Sequence, residues 1–362
     1  GKGAKARVAL KEAAAIREVY RPAWRWAEVE VRVAERRLAK ALSEMKALRK
    51  SSPRFRWSRG DMLYMDLVGK VAPPREVAAV AMALYGKKKA WLHLPQDLLL
   101  VRAAEALEKA GEKRAARRIW RKLVLDHPHS AYVNKALKRV PLASLSDKDR
   151  MVRAEVLFAR RSYERCRSES LYLWKKGLYR TQVGYFLGKI GSERLRDDFV
   201  GAVPYLKVAS EPKGPYAMFG LISYGISLAK LGRTDEAVAA FDRWLVRYKG
   251  QSVKRVVEAH YDRGRALHTG GRSLQAAADM KKFLMSRGSK GFDRGKYWWF
   301  VGFWTYLGGK HREAIELFKP LLGSSNPLVG GKARYWTGKA WAELGKRKKA
   351  VAVLQRLVRD MP

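Results

Sequence analysis

Gly232-Arg-Thr-Asp-Glu-Ala237, with Phe241 four residues on, is a phrase that this chain writes four times. It returns as Gly271-Arg-Ser-Leu-Gln-Ala276, as Gly309-Lys-His-Arg-Glu-Ala314 followed by Phe318, and as Gly345-Lys-Arg-Lys-Lys-Ala350 followed by Leu354. Successive glycines lie 39, 38 and 36 residues apart. Each phrase follows an alanine- and aromatic-rich amphipathic run and precedes a second one. A helix that ends needs a residue tolerant of positive φ, which Gly supplies. The basic residue beside it suits the negative end of the helix just finished. The small Ala five positions on lets the next helix approach closely. One such helix pair cannot bury its apolar face alone, so neighbours must stack into a solenoid.

The period lies slightly above the ~34 residues of a tetratricopeptide repeat and below most HEAT repeats. The reading is all-α: an α-solenoid of tetratricopeptide-like helix pairs forming a curved superhelix. The clear pairs span 216–231 with 234–248, 253–267 with 273–286, 295–307 with 312–322, and 332–344 with 348–359. Upstream, 97–110 and 112–125 form a pair hinged at Gly111, and 178–189 with 199–209 form another. Pro141 breaks the chain, and Ser146 with Asp149 opens the next helix. The array is therefore set at 91–362, with 1–90 as an N-terminal helical extension. In that extension 4–19 reads as helix. A single long helix then starts at Pro22, with apolar Trp24, Ala27, Val31, Ala34, Leu38, Ala41, Met45 and Leu48 at alternating three- and four-residue steps. That seam either docks on the first repeats or supports N-terminal helix-mediated association. A basic loop covers 51–60, Pro73 and Pro74 open a further helix, and the lysines after Gly86 form a connector.

Composition bounds the partners. The chain has 362 residues, and 47% of them are hydrophobic, which excludes wholesale disorder. Lys and Arg number 76 against 34 Asp and Glu, a formal charge of +42. Such an excess points to acidic partners: nucleic acid, anionic lipid, or a carboxylate-bearing polymer such as peptidoglycan. No stretch reaches the ~18 apolar residues of a membrane span. The first residue is Gly, not Met, so the lack of a leader carries no information. With Cys166 alone, no intrachain disulfide can form, and the thiol reads as core.

Few residues suggest chemistry. Asp126-His-Pro-His-Ser130 has two of the ligands a metal needs but reads better as an inter-repeat turn. The Gly-Lys pairs at 309, 331 and 345 lack the spacing of a phosphate loop. No catalytic residue, metal or cofactor is implied. The run Tyr297-Trp-Trp-Phe300, continued by Phe303, Trp304 and Tyr306, is the most aromatic segment, and Tyr335, Trp336 and Trp341 echo it. Four consecutive aromatics cannot all face one side of a helix, so one or two of Trp298, Trp299 and Phe300 must be partly exposed. Trp298, Trp299 and Trp336, with Lys332 and Arg334, are the candidates for a ligand face of rings beside cations.

The segment Ala333-Arg-Tyr-Trp-Thr-Gly-Lys-Ala-Trp-Ala-Glu-Leu-Gly345, followed by 350–360 and Met361-Pro362, resembles the last helix pair of the superhelical domain of soluble lytic transglycosylases. Residues 298–318 resemble that family's penultimate pair, and 126–132 and 231–241 fit its repeat phrasing. The likeness covers roughly 97–362, in pattern more than identity. It implies a helical scaffold curled into a U or ring, followed by a lysozyme-like domain with a catalytic Glu before Ser. Glu169-Ser170 is such a pair, but it sits inside the array without the Gly-Leu-Met-Gln-like segment of that motif. The sequence stops where the catalytic domain would begin, so the resemblance leaves this chain without a catalytic residue, while a parent that carries that domain would be an enzyme. The implied role is a periplasmic scaffold that positions peptidoglycan through a basic, aromatic surface. Two alternatives stand beside it: a tetratricopeptide-type adaptor that docks acidic protein segments or organises a protein assembly in the envelope, and a basic nucleic-acid-binding repeat. The charge is not explained by the family pattern.

Overall fold

The computed structural model describes residues 21–52, 60–86, 94–195, 198–211, 215–286 and 295–360. The helix expected over 4–19, the basic loop at 53–59 and the lysine run at 87–89 lie outside these. The described residues form nineteen α-helices and no strand. The chain divides into two compact units, Gly1–Ser162 and Tyr163–Pro362. The boundary set at 90/91 falls within the first.

The first unit holds α1 (Arg21–Ala34), α2 (Leu38–Ser51), α3 (Gly60–Val71), α4 (Pro74–Tyr85), α5 (Gln96–Lys109), α6 (Lys113–Asp126), the short α7 (Val133–Leu137) and α8 (Asp147–Ala159). The single helix expected from Pro22 is instead the hairpin of α1 and α2. Arg36 takes a left-handed φ of 60°, and Arg37 N–H bonds back to the Arg32 carbonyl at 2.9 Å. The residues between the helices, Glu35-Arg36-Arg37, have nothing to bury. The expected seam is correct in α2, where Ala41, Met45 and Leu48 are buried, but not in α1, which buries Trp26 and Val29. These residues share a core with Met65, Leu67 and Leu99. The seam thus docks within its own unit. A second core joins Leu100 and Ala104 of α5 to the fully buried Trp120 and Leu123 of α6. The expected start at Ser146 is a full capping box with Asp149.

The second unit runs α9 (Tyr163–Lys175), α10 (Arg180–Ile190), α11 (Phe199–Ser210), α12 (Pro215–Lys230), α13 (Thr234–Arg247), α14 (Val253–Thr269), α15 (Ser273–Met285), α16 (Gly295–Leu307), α17 (His311–Phe318), α18 (Lys332–Glu343) and α19 (Arg347–Asp360). From α12 onward, even-numbered helices are the first of each pair and odd-numbered helices the second. The repeated phrase is the turn between them. Gly232, Gly271, Gly309 and Gly345 all have φ between 70 and 80°. The N–H of each following basic residue reaches the carbonyl five residues back, as Arg233 does to Leu228 at 2.9 Å. This is the Schellman closure of a helix C-terminus. Ala237, Ala276 and Ala314 are fully buried, which is the close approach their size permits.

A further glycine lies seven residues before each turn glycine: Gly225, Gly264, Gly302 and Gly338. Each is a notch. A methyl group on Gly302 would sit 2.6 Å from the Phe318 ring, and one on Gly225 2.9 Å from the Phe241 ring. The residue ending each repeated phrase thus seats its side chain against the notch in the first helix of its own pair. Gly264 differs, since its notch takes Trp304 of the next first helix.

Candidate docking face on the first helices

Helix α16, Gly-Lys-Tyr-Trp-Trp-Phe-Val-Gly-Phe-Trp-Thr-Tyr-Leu, is apolar on nearly every side, so most of it must be buried. Tyr297, Trp299 and Trp304 are buried, while Trp298 and Phe300 are half-buried, the partial exposure expected of this run. Trp299 stacks on Phe303 with centroids 4.9 Å apart and planes 14° from parallel. Phe303 also lies 4.7 Å from Trp336 of α18, which touches Tyr306 and Tyr335 as well. Lys332 Nζ stands 4.9 Å from the centre of the Trp299 ring. Four of the five expected ligand-face residues take different places in this layer. Trp299 is no open platform, since Phe303 and Lys332 both cover its ring. Trp336 is half-buried among three other rings, and Trp298 is half-buried between two core clusters. Lys332 is exposed on top. Arg334 is not brought to Lys332, because two residues turn a helix by about 200°.

The Lys332–Trp299 contact is one of a series. Lys296 Nζ stands 5.7 Å over the Tyr261 ring and 5.3 Å over Tyr297. The Arg255 guanidinium stands 5.4 Å over Phe219. In each case a cation near the start of one first helix covers a ring of the preceding first helix. The signal is legible once known: Phe219 to Arg255, Tyr261 to Lys296 and Trp299 to Lys332 are 36, 35 and 33 residues apart, about one repeat each. Sequence reading missed Phe219, Arg255, Tyr261 and Lys296 because each cation and its ring fall in different helices. An exposed pair of this kind contributes about 0.5–1 kcal/mol.

Some cations of the unit have carboxylate partners. Arg233 is held by Glu236, Arg272 by Asp235, and Lys281 by Glu313. Among the described residues no carboxylate lies within ion-pair reach of Arg255, Lys296 or Lys332. Near one end of the row, α10, α12 and α14 enclose a cavity of about 160 Å³, lined by Tyr185, Lys189, Phe219, Ser223, Arg255 and Asp262. Burial pushes the Asp262 carboxyl up to about 6, against the pull of Arg265.

Elsewhere the chemistry is structural. Tyr85 Oη donates to Asp126 Oδ2 at 3.0 Å, and Ser130 Oγ donates to Asp97 at 2.7 Å, so the His-Pro-His segment is a turn tied to neighbouring helices. Burial lowers the pKa of His127. Among the described residues no cluster of three His, Cys, Asp or Glu is arranged to hold a metal. Glu169 and Ser170 are buried in α9. The Cys166 thiol is fully buried, and desolvation pushes it up to about 12. No helix is long and apolar enough to cross a membrane among the described residues.

Family models described as tetratricopeptide repeat match residues 99–130, 208–289 and 308–362. The chain carries a tetratricopeptide-like helical domain. The gap between the last two matches covers 290–307 and therefore all of α16, whose aromatic load departs from the repeat pattern. Among solved structures, the chain is similar to PilW, a widely conserved type IV pilus biogenesis factor, at 17% identity over 64% of this chain and 96% of that one, with a TM-score of 0.41. It is similar to YrrB, a TPR protein with an unusual peptide-binding site, at 18% identity over 52% and 84%, with a TM-score of 0.35. A tetratricopeptide repeat protein from Parabacteroides merdae aligns at 13% identity over 81% and 98%, with a TM-score of 0.35. No curated protein matches the chain. The family models bear out the repeat architecture of 308–362, and none of these matches is a lytic transglycosylase.

Proposed function

We propose that this tetratricopeptide-like chain is an adaptor, and that it docks an acidic segment of a protein partner along the first-helix face of the Tyr163–Pro362 unit. One observation carries the reading. Arg255, Lys296 and Lys332 each rest on a ring of the preceding first helix, and none has a carboxylate partner among the described residues. A cation fixed over a ring has lost part of its side-chain freedom before binding. An arriving carboxylate therefore meets a partly ordered donor, which lowers the entropic cost of the contact. The aromatic layer beneath keeps the cations from folding away.

The test is a fluorescence-anisotropy titration of the whole chain with a labelled Glu-rich peptide at about 50 and 150 mM salt. The expected result is saturable binding that the combined Arg255→Gln, Lys296→Gln and Lys332→Gln variant weakens by about tenfold or more, at roughly 0.5–1 kcal/mol per contact. Equal binding by variant and wild type would overturn the reading.

A periplasmic cell-envelope setting, with peptidoglycan as the anionic partner, is a second reading. It rests on the likeness of 333–345 to the transglycosylase scaffold and on the same basic and aromatic face. Retention on purified sacculi at physiological salt, abolished by the same triple variant, would favour it over the protein partner.

A further inference from the structure

We propose, resting on the docking role above, that the segment this face takes is a polyproline-II-type stretch with an acidic side chain at every third position. Two of the three cation–ring contacts occupy equivalent places in successive repeats. Lys296 and Lys332 each stand six residues before a notch glycine, Gly302 and Gly338. Each covers a ring, Tyr261 or Trp299, that stands three residues before the notch glycine of the preceding repeat.

The first helices that carry them touch directly. Tyr261 lies 4.6 Å from Phe300 between α14 and α16, and Phe303 lies 4.7 Å from Trp336 between α16 and α18. Equivalent points on helices in contact are offset by their interaxial distance, about 8–10 Å. A polyproline-II chain rises ~3.1 Å per residue with three residues per turn, so it returns the same face every ~9.3 Å. A β-strand returns it every two residues, or ~6.8 Å, which falls short. An α-helix returns it after seven residues, or ~10.5 Å, but helix-in-groove docking needs a row of apolar anchors. Here the row is made of ammonium groups over rings, and aromatic surfaces are the usual seat of polyproline-II ligands. The polyproline-II backbone also keeps its polar groups solvated, so it needs no hydrogen bonds from side chains on this face.

The experiment uses the full chain and labelled peptides of one composition, five Asp and ten Pro. One is Asp-Pro-Pro repeated throughout, one has all Asp in a single block, and one has Asp at alternate positions followed by the remaining Pro. An Asn-Pro-Pro repeat gives the neutral baseline, and an alanine-rich helical peptide with Asp at every seventh position gives the helical case. The proposal expects the period-three peptide to bind about tenfold tighter than the block and alternate peptides. It also expects Lys296→Gln with Lys332→Gln to remove most of that preference. Equal affinity for all three Asp-Pro peptides would overturn the register and leave the docking role standing. Tighter binding of the helical peptide would overturn the polyproline-II assignment. If no acidic peptide binds above the neutral baseline, the docking role itself fails.

Discussion

Gly302→Ala tests the notch on which each helix pair closes. The added methyl would lie 2.6 Å from Phe318 Cε1, 2.8 Å from Cδ1 and 3.0 Å from Cζ. Carbon atoms in good contact stand about 3.5–4.0 Å apart, so the ring would have to retreat by about 1 Å. It has nowhere to go. Phe318 is fully buried among Trp299, Ala314, Leu321 and Ala333. The retreat must therefore move α17 as a body. Overpacking of this kind costs about 1–3 kcal/mol, against about 1 kcal/mol returned by the better helix propensity of Ala. The net loss is about 0–2 kcal/mol. Gly309→Ala makes a contrasting control, because nothing lies within 4 Å of its added methyl and the cost there comes from its φ of 79°. Urea unfolding followed by circular dichroism would measure both changes alone and together with Phe318→Leu. The smaller side chain should relieve Gly302→Ala by about 1 kcal/mol and leave Gly309→Ala unchanged. If Gly302→Ala shows no coupling to Phe318→Leu, the notch reasoning is wrong.

Three further outcomes follow from particular residues. Arg161 sits in the left-handed region at φ 59°, with the same backward hydrogen bond as the glycine turns, from Ser162 N–H to the Leu157 carbonyl at 2.9 Å. Arg161→Gly should raise the urea midpoint, with about 0.5–1 kcal/mol remaining after the entropic cost of Gly, and an unchanged or lower midpoint would count against that conformation. The Asp262 carboxyl is raised in the folded chain to about 6 from an ordinary 3.8. Its protonated form favours folding, so its contribution is full below about pH 4 and is lost as pH rises through 6. Asp262→Asn should therefore stabilise the chain by about 1–3 kcal/mol at pH 7 and have little effect at pH 4, measured by urea unfolding at both values; the reverse order would refute it. Trp120 is fully buried and donates its indole N–H to Glu108 at 2.9 Å. Trp120→Phe keeps the ring but leaves that carboxylate with one donor fewer, and should lower the urea midpoint by an amount equivalent to about 1–2 kcal/mol; Trp120→Phe with Glu108→Gln should lose less than the two singles combined.

The array was legible because its turns are written in glycine, and glycine marks positive φ. The same turn closed by Arg36 carries no such mark, and so α1 and α2 read as one helix. Helix α3 was missed for another reason: Met62-Leu-Tyr-Met65 gives a short apolar run with no polar face to set a period. For the candidate face, the aromatic richness of α16 was plain, and so was the partial exposure forced on Trp298 and Phe300. What a linear reading could not supply was which ring lies under which cation. Lys332 covers Trp299 from two helices downstream, and Arg334, its near neighbour in sequence, points elsewhere.

The most direct measurement is site-specific photo-crosslinking of the acidic period-three peptide. One benzoylphenylalanine variant carries the probe at Tyr335, which is 45% exposed on the first-helix face beside Trp336. The other carries it at Val246, 75% exposed on a second helix of the same unit. Docking along the first helices predicts crosslinks from position 335 that compete with unlabelled peptide, and none above background from 246. Equal crosslinking from both positions, or capture from 246 alone, would contradict it.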